Sequence, residues 1–107
     1  MSRRHSLKAT VKDKRGNVIA VAHNNYGKSH PIQAYFAKLA GLPERQYLHA
    51  EIAALLRCKT KQPYSIHVER YKRNGRPALA APCPVCLQAI KAWKVQQITY
   101  TEDQDES

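Results

Sequence analysis

Two short segments far apart in the chain have to meet. His49-Ala50-Glu51 carries one imidazole and one carboxylate, and Pro82-Cys83-Pro84-Val85-Cys86 carries two thiols at Cys-x-x-Cys spacing. One imidazole and two thiolates are three zinc ligands. A tetrahedral zinc with three protein ligands keeps its fourth position open, as catalytic rather than structural sites do. Any fold of this chain must therefore bring residue 49 beside residues 83 and 86, with Glu51 close to the metal. Each half alone is weak. His-Ala-Glu opens many ordinary helices, and Pro-Cys-x-x-Cys also serves structural zinc knuckles and redox dithiols. A structural site wants a fourth ligand, and His5, His23, His30 and His67 stand at no recognisable ligand spacing. They read as surface or hydrogen-bonded core histidines.

The pattern around these segments places both on helix starts. Leu7, Ala9 and Val11 alternate with Lys8, Thr10 and Lys12, the period of a half-buried strand. Lys14-Arg15-Gly16-Asn17 supplies a turn, and Val18 to Ala22 is an apolar run expected to form a second strand buried on both faces. Asn24-Asn25-Tyr26-Gly27 is expected to break the pattern. Pro31 to Ala40 predicts a short helix stopped by Gly41. Leu48 to Cys58 predicts a second helix with Ile52, Leu55 and Leu56 on its apolar side and no Ser, Thr or Asp ahead as a cap. Tyr64 to Tyr71 predicts a third strand, Asn74-Gly75 a tight turn, and Ala78 to Ala81 a short return strand. Pro84 suits the first position of another helix, with Cys83 as its cap, Cys86 in its first turn, Ile90 and Trp93 inward and Gln88, Lys91 and Lys94 wet. Ile98 and Tyr100 mark a final strand. This order implies one layered α/β domain over residues 1–101.

Charge narrows the partners. The 18 basic residues all precede residue 95, and four of the 8 acids crowd the end as Glu102, Asp103, Asp105 and Glu106. Residues 1–101 thus carry 18 positive and four negative charges, and residues 102–107 form an acidic tail expected to be disordered. A surface of this sign attracts phosphates on a nucleotide or a polynucleotide, while a solvated basic face without a partner is the plain alternative. The segment Arg70-Tyr71-Lys72-Arg73-Asn74-Gly75-Arg76 combines cations with an aromatic, so Arg70, Tyr71, Lys72, Arg73 and Arg76 are candidate nucleic-acid contacts. No apolar run approaches the ~18–20 residues of a membrane span, and no apolar signal region follows the N-terminus. Three cysteines, two of them at metal spacing, suit a reducing, cytoplasmic setting, with Cys58 as a small buried hydrophobe.

Taken together, the two motifs resemble those of the cytidine deaminase-like superfamily. Leu48-His49-Ala50-Glu51-Ile52 looks like the first zinc motif and Pro82-Cys83-Pro84-Val85-Cys86 like the second. His rather than Cys as first ligand is similar to deoxycytidylate, tRNA adenosine and polynucleotide cytidine deaminases. Lys28-Ser29-His30-Pro31, Gly41, Arg70 and Gly75 extend a narrower likeness to small deaminase-like proteins of phages and bacteria over roughly residues 5–101. The resemblance implies a mixed sheet of about four to five strands with helices packed on it, zinc as cofactor, His49, Cys83 and Cys86 as its ligands, and Glu51 as proton shuttle. It further implies a substrate-contacting Asn after the second strand, either Asn24 or Asn25, with Ala50 leaving space for a flat base. Against the family pattern, the chain is expected to lack the usual first helix and the C-terminal strand and helix. The last strand would then leave a bare sheet edge at which a homo-oligomer or another partner docks.

The expected function is hydrolytic deamination of cytosine to uracil, in a nucleotide or single-stranded nucleic acid, by zinc-activated hydroxide with Glu51 carrying the protons. The alternative is a non-catalytic module, stabilised by zinc, that binds nucleic acid or protein. A third reading is adenine deamination in RNA.

Overall fold

The computed structural model describes residues 7–42 and 47–103. Its elements in chain order are β1 (Leu7–Lys12), β2 (Val18–His23), β3 (Asn25–Ser29), α1 (Pro31–Leu39), β4 (Tyr47–Leu48), α2 (Ala50–Arg57), β5 (Ser65–Arg70), α3 (Pro84–Ala92) and β6 (Gln97–Tyr100). The main sheet runs β2-β1-β5-β6, antiparallel except for the parallel pair β5 and β6, which α3 connects. β3 and β4 form a separate antiparallel pair. This is the mixed-sheet α/β architecture expected of a cytidine deaminase-like fold.

Period-two patterning decides which sheet face is covered. Ala9 and Val11 of β1 sit opposite Ala22 and Ala20 of β2 and opposite Val68 and Ile66 of β5, and all six are buried. Alanine at three of these positions lets α2 lie close on the sheet, with Ile52 and Leu55 fully buried beneath it. Each such large side chain contributes roughly 1.5–3 kcal/mol by leaving water. α3 adds Val85, Cys86, Ala89 and Ile90, and α1 adds Phe36 and Ala37. The other sheet face carries Lys8, Thr10, Lys12, His67 and Glu69, none buried, as a largely antiparallel sheet with one wet face requires.

Several local expectations are corrected. Asn25 does not end regular structure, because its segment pairs with β4 through Asn25 opposite Leu48 and Ser29 opposite Tyr47. The second strand is not buried on both faces: Ala20 and Ala22 are covered, whereas Val18 is 55% exposed, because helices pack on one side of the sheet. The second helix begins at Ala50, not Leu48, since Leu48 is paired in β4 and His49 has extended backbone as N-cap. Ala78 to Ala81 forms no strand; after a bridge between Tyr71 and Pro77, Ala80 donates to Thr101 O instead. Pro84 stands at the start of α3 and Cys83 at its cap, as its sequence implies.

β6 is paired on one side only among the described residues, and Ile98 and Tyr100 on it are exposed. No helix among the described residues is long and apolar enough to cross a membrane. His5, the basic N-terminal residues and positions 104–107 of the acidic tail lie outside the described residues.

Candidate metal centre

The starts of α2 and α3 meet at one end of the sheet. His49 is the N-cap of α2 and Cys83 the N-cap of α3, with Cys86 one turn in. Neither cap residue hydrogen-bonds its own helix through its side chain, so imidazole and thiol remain turned to the shared centre. Ligand atoms of His49, Cys83 and Cys86 all lie within 4.8 Å of one another. His49 Nδ1 is 3.2 Å from Cys86 Sγ and 3.7 Å from Cys83 Sγ. Zn–S bonds of about 2.3 Å and Zn–N bonds of about 2.0 Å place tetrahedral nitrogen and sulfur donors about 3.5 Å apart, so the observed pair brackets what zinc needs. The donor set fits Zn2+.

The electrostatics suit a cation. The hydrogen bond from the Cys86 thiol, with further help from His49, holds Cys83 at about 3, against the effect of its partial burial. That same bond, together with burial, pushes Cys86 well above the usual thiol range. The lowered Cys83 thiol places negative charge between two helix N-termini, whose dipoles favour it.

Glu51 is 4% exposed, and burial raises its carboxyl above the ordinary value of 4.5, against backbone hydrogen bonding and the nearby His49. A pocket of about 160 Å³ opens over the centre, lined by Leu7, Asn24, His49, Ala50, Glu51, Ala81 and Cys83. Metal-ligand side chains and the candidate proton carrier therefore share one cavity. Of the two asparagines, Asn24 lines it and also accepts a 3.0 Å hydrogen bond from Leu7 N. Asn25 is exposed, and its side chain accepts from Gly27 N.

The five candidate nucleic-acid contacts lie on the β5 end and the following hairpin, and none lines this pocket. Arg70 donates to Leu79 O at 3.0 Å, Tyr71 to the Glu69 carboxylate at 3.1 Å, and Lys72 pairs with Asp103 at 2.7 Å. Arg73 and Arg76 are exposed. The Arg70, Tyr71 and Lys72 side chains are thus engaged within the protein. The remaining histidines have local roles: His30 accepts from Ile32 N to cap α1, His67 meets Thr99 Oγ1 at 2.7 Å, and His23 is exposed.

One residue outside both motifs also holds the site. Gln33 on α1 is fully buried and accepts a 3.1 Å hydrogen bond from the backbone nitrogen of His49. Its signal is legible in hindsight: it is a polar residue in step with Phe36, Ala37 and Ala40 on the apolar stripe of a helix, where only a satisfied polar group is tolerated.

A family model described as the cytidine and deoxycytidylate deaminase zinc-binding region matches residues 3–102. Comparison with curated proteins and with solved structures gave no significant match.

Proposed function

This chain belongs to the cytidine and deoxycytidylate deaminase zinc-binding family, and from that premise we propose that it hydrolyses the exocyclic amine of cytosine to give uracil and ammonia. The substrate is a nucleotide or a single-stranded nucleic acid. One observation carries the reading: a buried carboxyl, Glu51, lines the same small pocket as two of the three metal-ligating side chains.

His49, Cys83 and Cys86 would hold the zinc, which when bound polarises water at its open position and lowers that water's pKa toward neutrality. The protein's own part is positioning and proton transfer. Water adds at C4 of the ring; Glu51 takes one proton from it and delivers that proton to N3. Glu51 then carries the second proton to the amino group, which leaves as ammonia while C4 becomes a carbonyl. A carboxyl whose pKa is raised by burial is suited to both halves of this cycle, since it accepts and returns protons nearer neutral pH. Ala50 supports the reading because its methyl leaves room for a planar ring, and Asn24 because it lines the pocket beside it. The cavity's volume of about 160 Å³ supports a single nucleobase as the reacting group, and on this reading a base within a duplex has to leave its stack first.

The test is to incubate zinc-loaded protein with deoxycytidylate, cytidine, single-stranded DNA and RNA and to weigh the products. Uracil supports the proposal, hypoxanthine transfers it to adenine, and no product from any of them refutes it. The high basic charge favours one second reading, a zinc-stabilised binding module. Under that reading Glu51→Gln leaves every measurable effect of the protein unchanged.

A further inference from the structure

A second cluster of charge lies at the end of the sheet away from the zinc centre. There the β1–β2 turn, the α2–β5 connection and the α3–β6 connection surround an open groove of about 1120 Å³. Lys14, Arg15, Lys61 and Lys94 line it with Tyr64, and Lys59 adjoins it in a neighbouring hollow that shares Lys61 and Lys94. All five cations are exposed. Among the described residues no carboxylate pairs with Lys14, Lys59, Lys61 or Lys94. Asp13 is the acid in the groove, and its carboxylate is occupied by the backbone nitrogens of Arg15 and Asn17, each at 2.9 Å.

The backbone supplies an independent observation. Each helix is followed by a residue in the left-handed region, where glycine is free of strain and a side chain is not. α1 uses Gly41 there, with φ +75. α2 and α3 use Lys59, φ 53, and Lys94, φ 60. Lys94 even completes a Schellman closure, its nitrogen donating to Lys91 O and that of Val95 to Ile90 O, the same pair of bonds that Gly41 and Leu42 make after α1. Two lysines thus occupy left-handed positions, Lys94 lining this groove and Lys59 lining the hollow beside it, and strained residues cluster where function needs them.

We infer that this groove is a second binding site, distinct from the zinc pocket, for the phosphodiester backbone of a single-stranded nucleic acid. Cations drawn from three separate connections match a chain of evenly spaced phosphates better than one compact anion. The half-buried ring of Tyr64 offers a base a stacking surface, which an acidic peptide would not use. The eight residues of α2 separate the two sites by about 12 Å, a distance a few nucleotides span. The inference does not rest on catalysis, because binding is measured without turnover.

The experiment compares zinc-loaded wild type with Lys59→Gly/Lys94→Gly, using fluorescence anisotropy of a labelled single-stranded DNA of about 20 nucleotides. Each lost phosphate contact reduces the slope of log K against log salt by about 0.7, so the double variant should lose about 1.4 and bind roughly tenfold more weakly at low salt. Its melting temperature should hold or rise, because glycine relieves the left-handed strain. A lysine kept merely to complement the helix C-termini predicts the reverse, a lower melting temperature with unchanged binding, and that result overturns the proposal. Equal competition by polyglutamate and by unlabelled DNA would also overturn it, since the groove would then be selecting charge alone.

Discussion

The backbone nitrogen of His49 donates to the side-chain oxygen of Gln33 at 3.1 Å, tying the start of α2 to α1 in a region without solvent. The bond does for α2 what a capping side chain normally does, since His49 makes no side-chain cap of its own. Gln33→Ala strands a buried donor, at a cost of about 1–3 kcal/mol. It also frees the residue that carries the imidazole, and loss of such supporting contacts typically weakens a metal site about 10–100-fold. Thermal unfolding and zinc competition against a chromophoric chelator should both register the change. Unaltered zinc affinity would show that Gln33 supports the fold alone.

Glu51→Gln separates chemistry from structure. The amide matches the carboxyl in shape and removes its capacity to carry a proton, so turnover should fall by roughly 10²–10⁴-fold. Zinc content should stay at one ion per chain, because His49, Cys83 and Cys86 are untouched. Stability at neutral pH should not drop, since burial already disfavours the charged carboxylate. Activity within tenfold of wild type would remove Glu51 from the mechanism.

Much of the fold and of the metal centre is legible in the sequence, for identifiable reasons. Pro84 and the two cysteines mark the start of α3 by local chemistry alone, and the strict alternation of Leu7 to Lys12 marks β1. β3 was hidden because Asn25 and Gly27 have turn composition, and its pairing with β4 rests on an irregular register. The apolar run of β2 suggested cover on both faces, yet where helices pack is a property of the whole topology. The same holds for the basic groove. Total charge is visible in composition, but Lys14, Lys59 and Lys94 are neighbours only because three connections end at one edge.

Asp13 gives a pH-dependent contribution whose sign is fixed. Hydrogen bonds from Asn17, and secondarily from Arg15, hold its pKa below 3.8 in the folded chain. A depressed folded pKa stabilises fully above the unfolded value and is lost as pH falls through the folded one. Asp13→Ala should therefore lower the urea midpoint at pH 7, and the gap from wild type should narrow as pH falls past 3.8 toward the lowered folded value. A gap that is constant with pH would assign the effect to turn geometry rather than charge.

Chelation should expose the thiols in an order set by their surroundings. Cys58 is 2% exposed at the end of α2, its sulfur directed to Ala54 O at 3.5 Å, and burial raises its pKa. The thiolate is the reactive form, so Cys58 should resist a thiol reagent at neutral pH while the fold persists. With zinc bound, Cys83 and Cys86 are held as ligands and should be slow as well. Adding a chelator should bring up Cys83, the half-buried one, before Cys86, and denaturant should be needed for Cys58. The readout is a time course of reagent colour with mass mapping of the modified cysteine. Rapid labelling of Cys83 before chelation would mean that it is not a metal ligand, and the three-ligand centre would then be wrong.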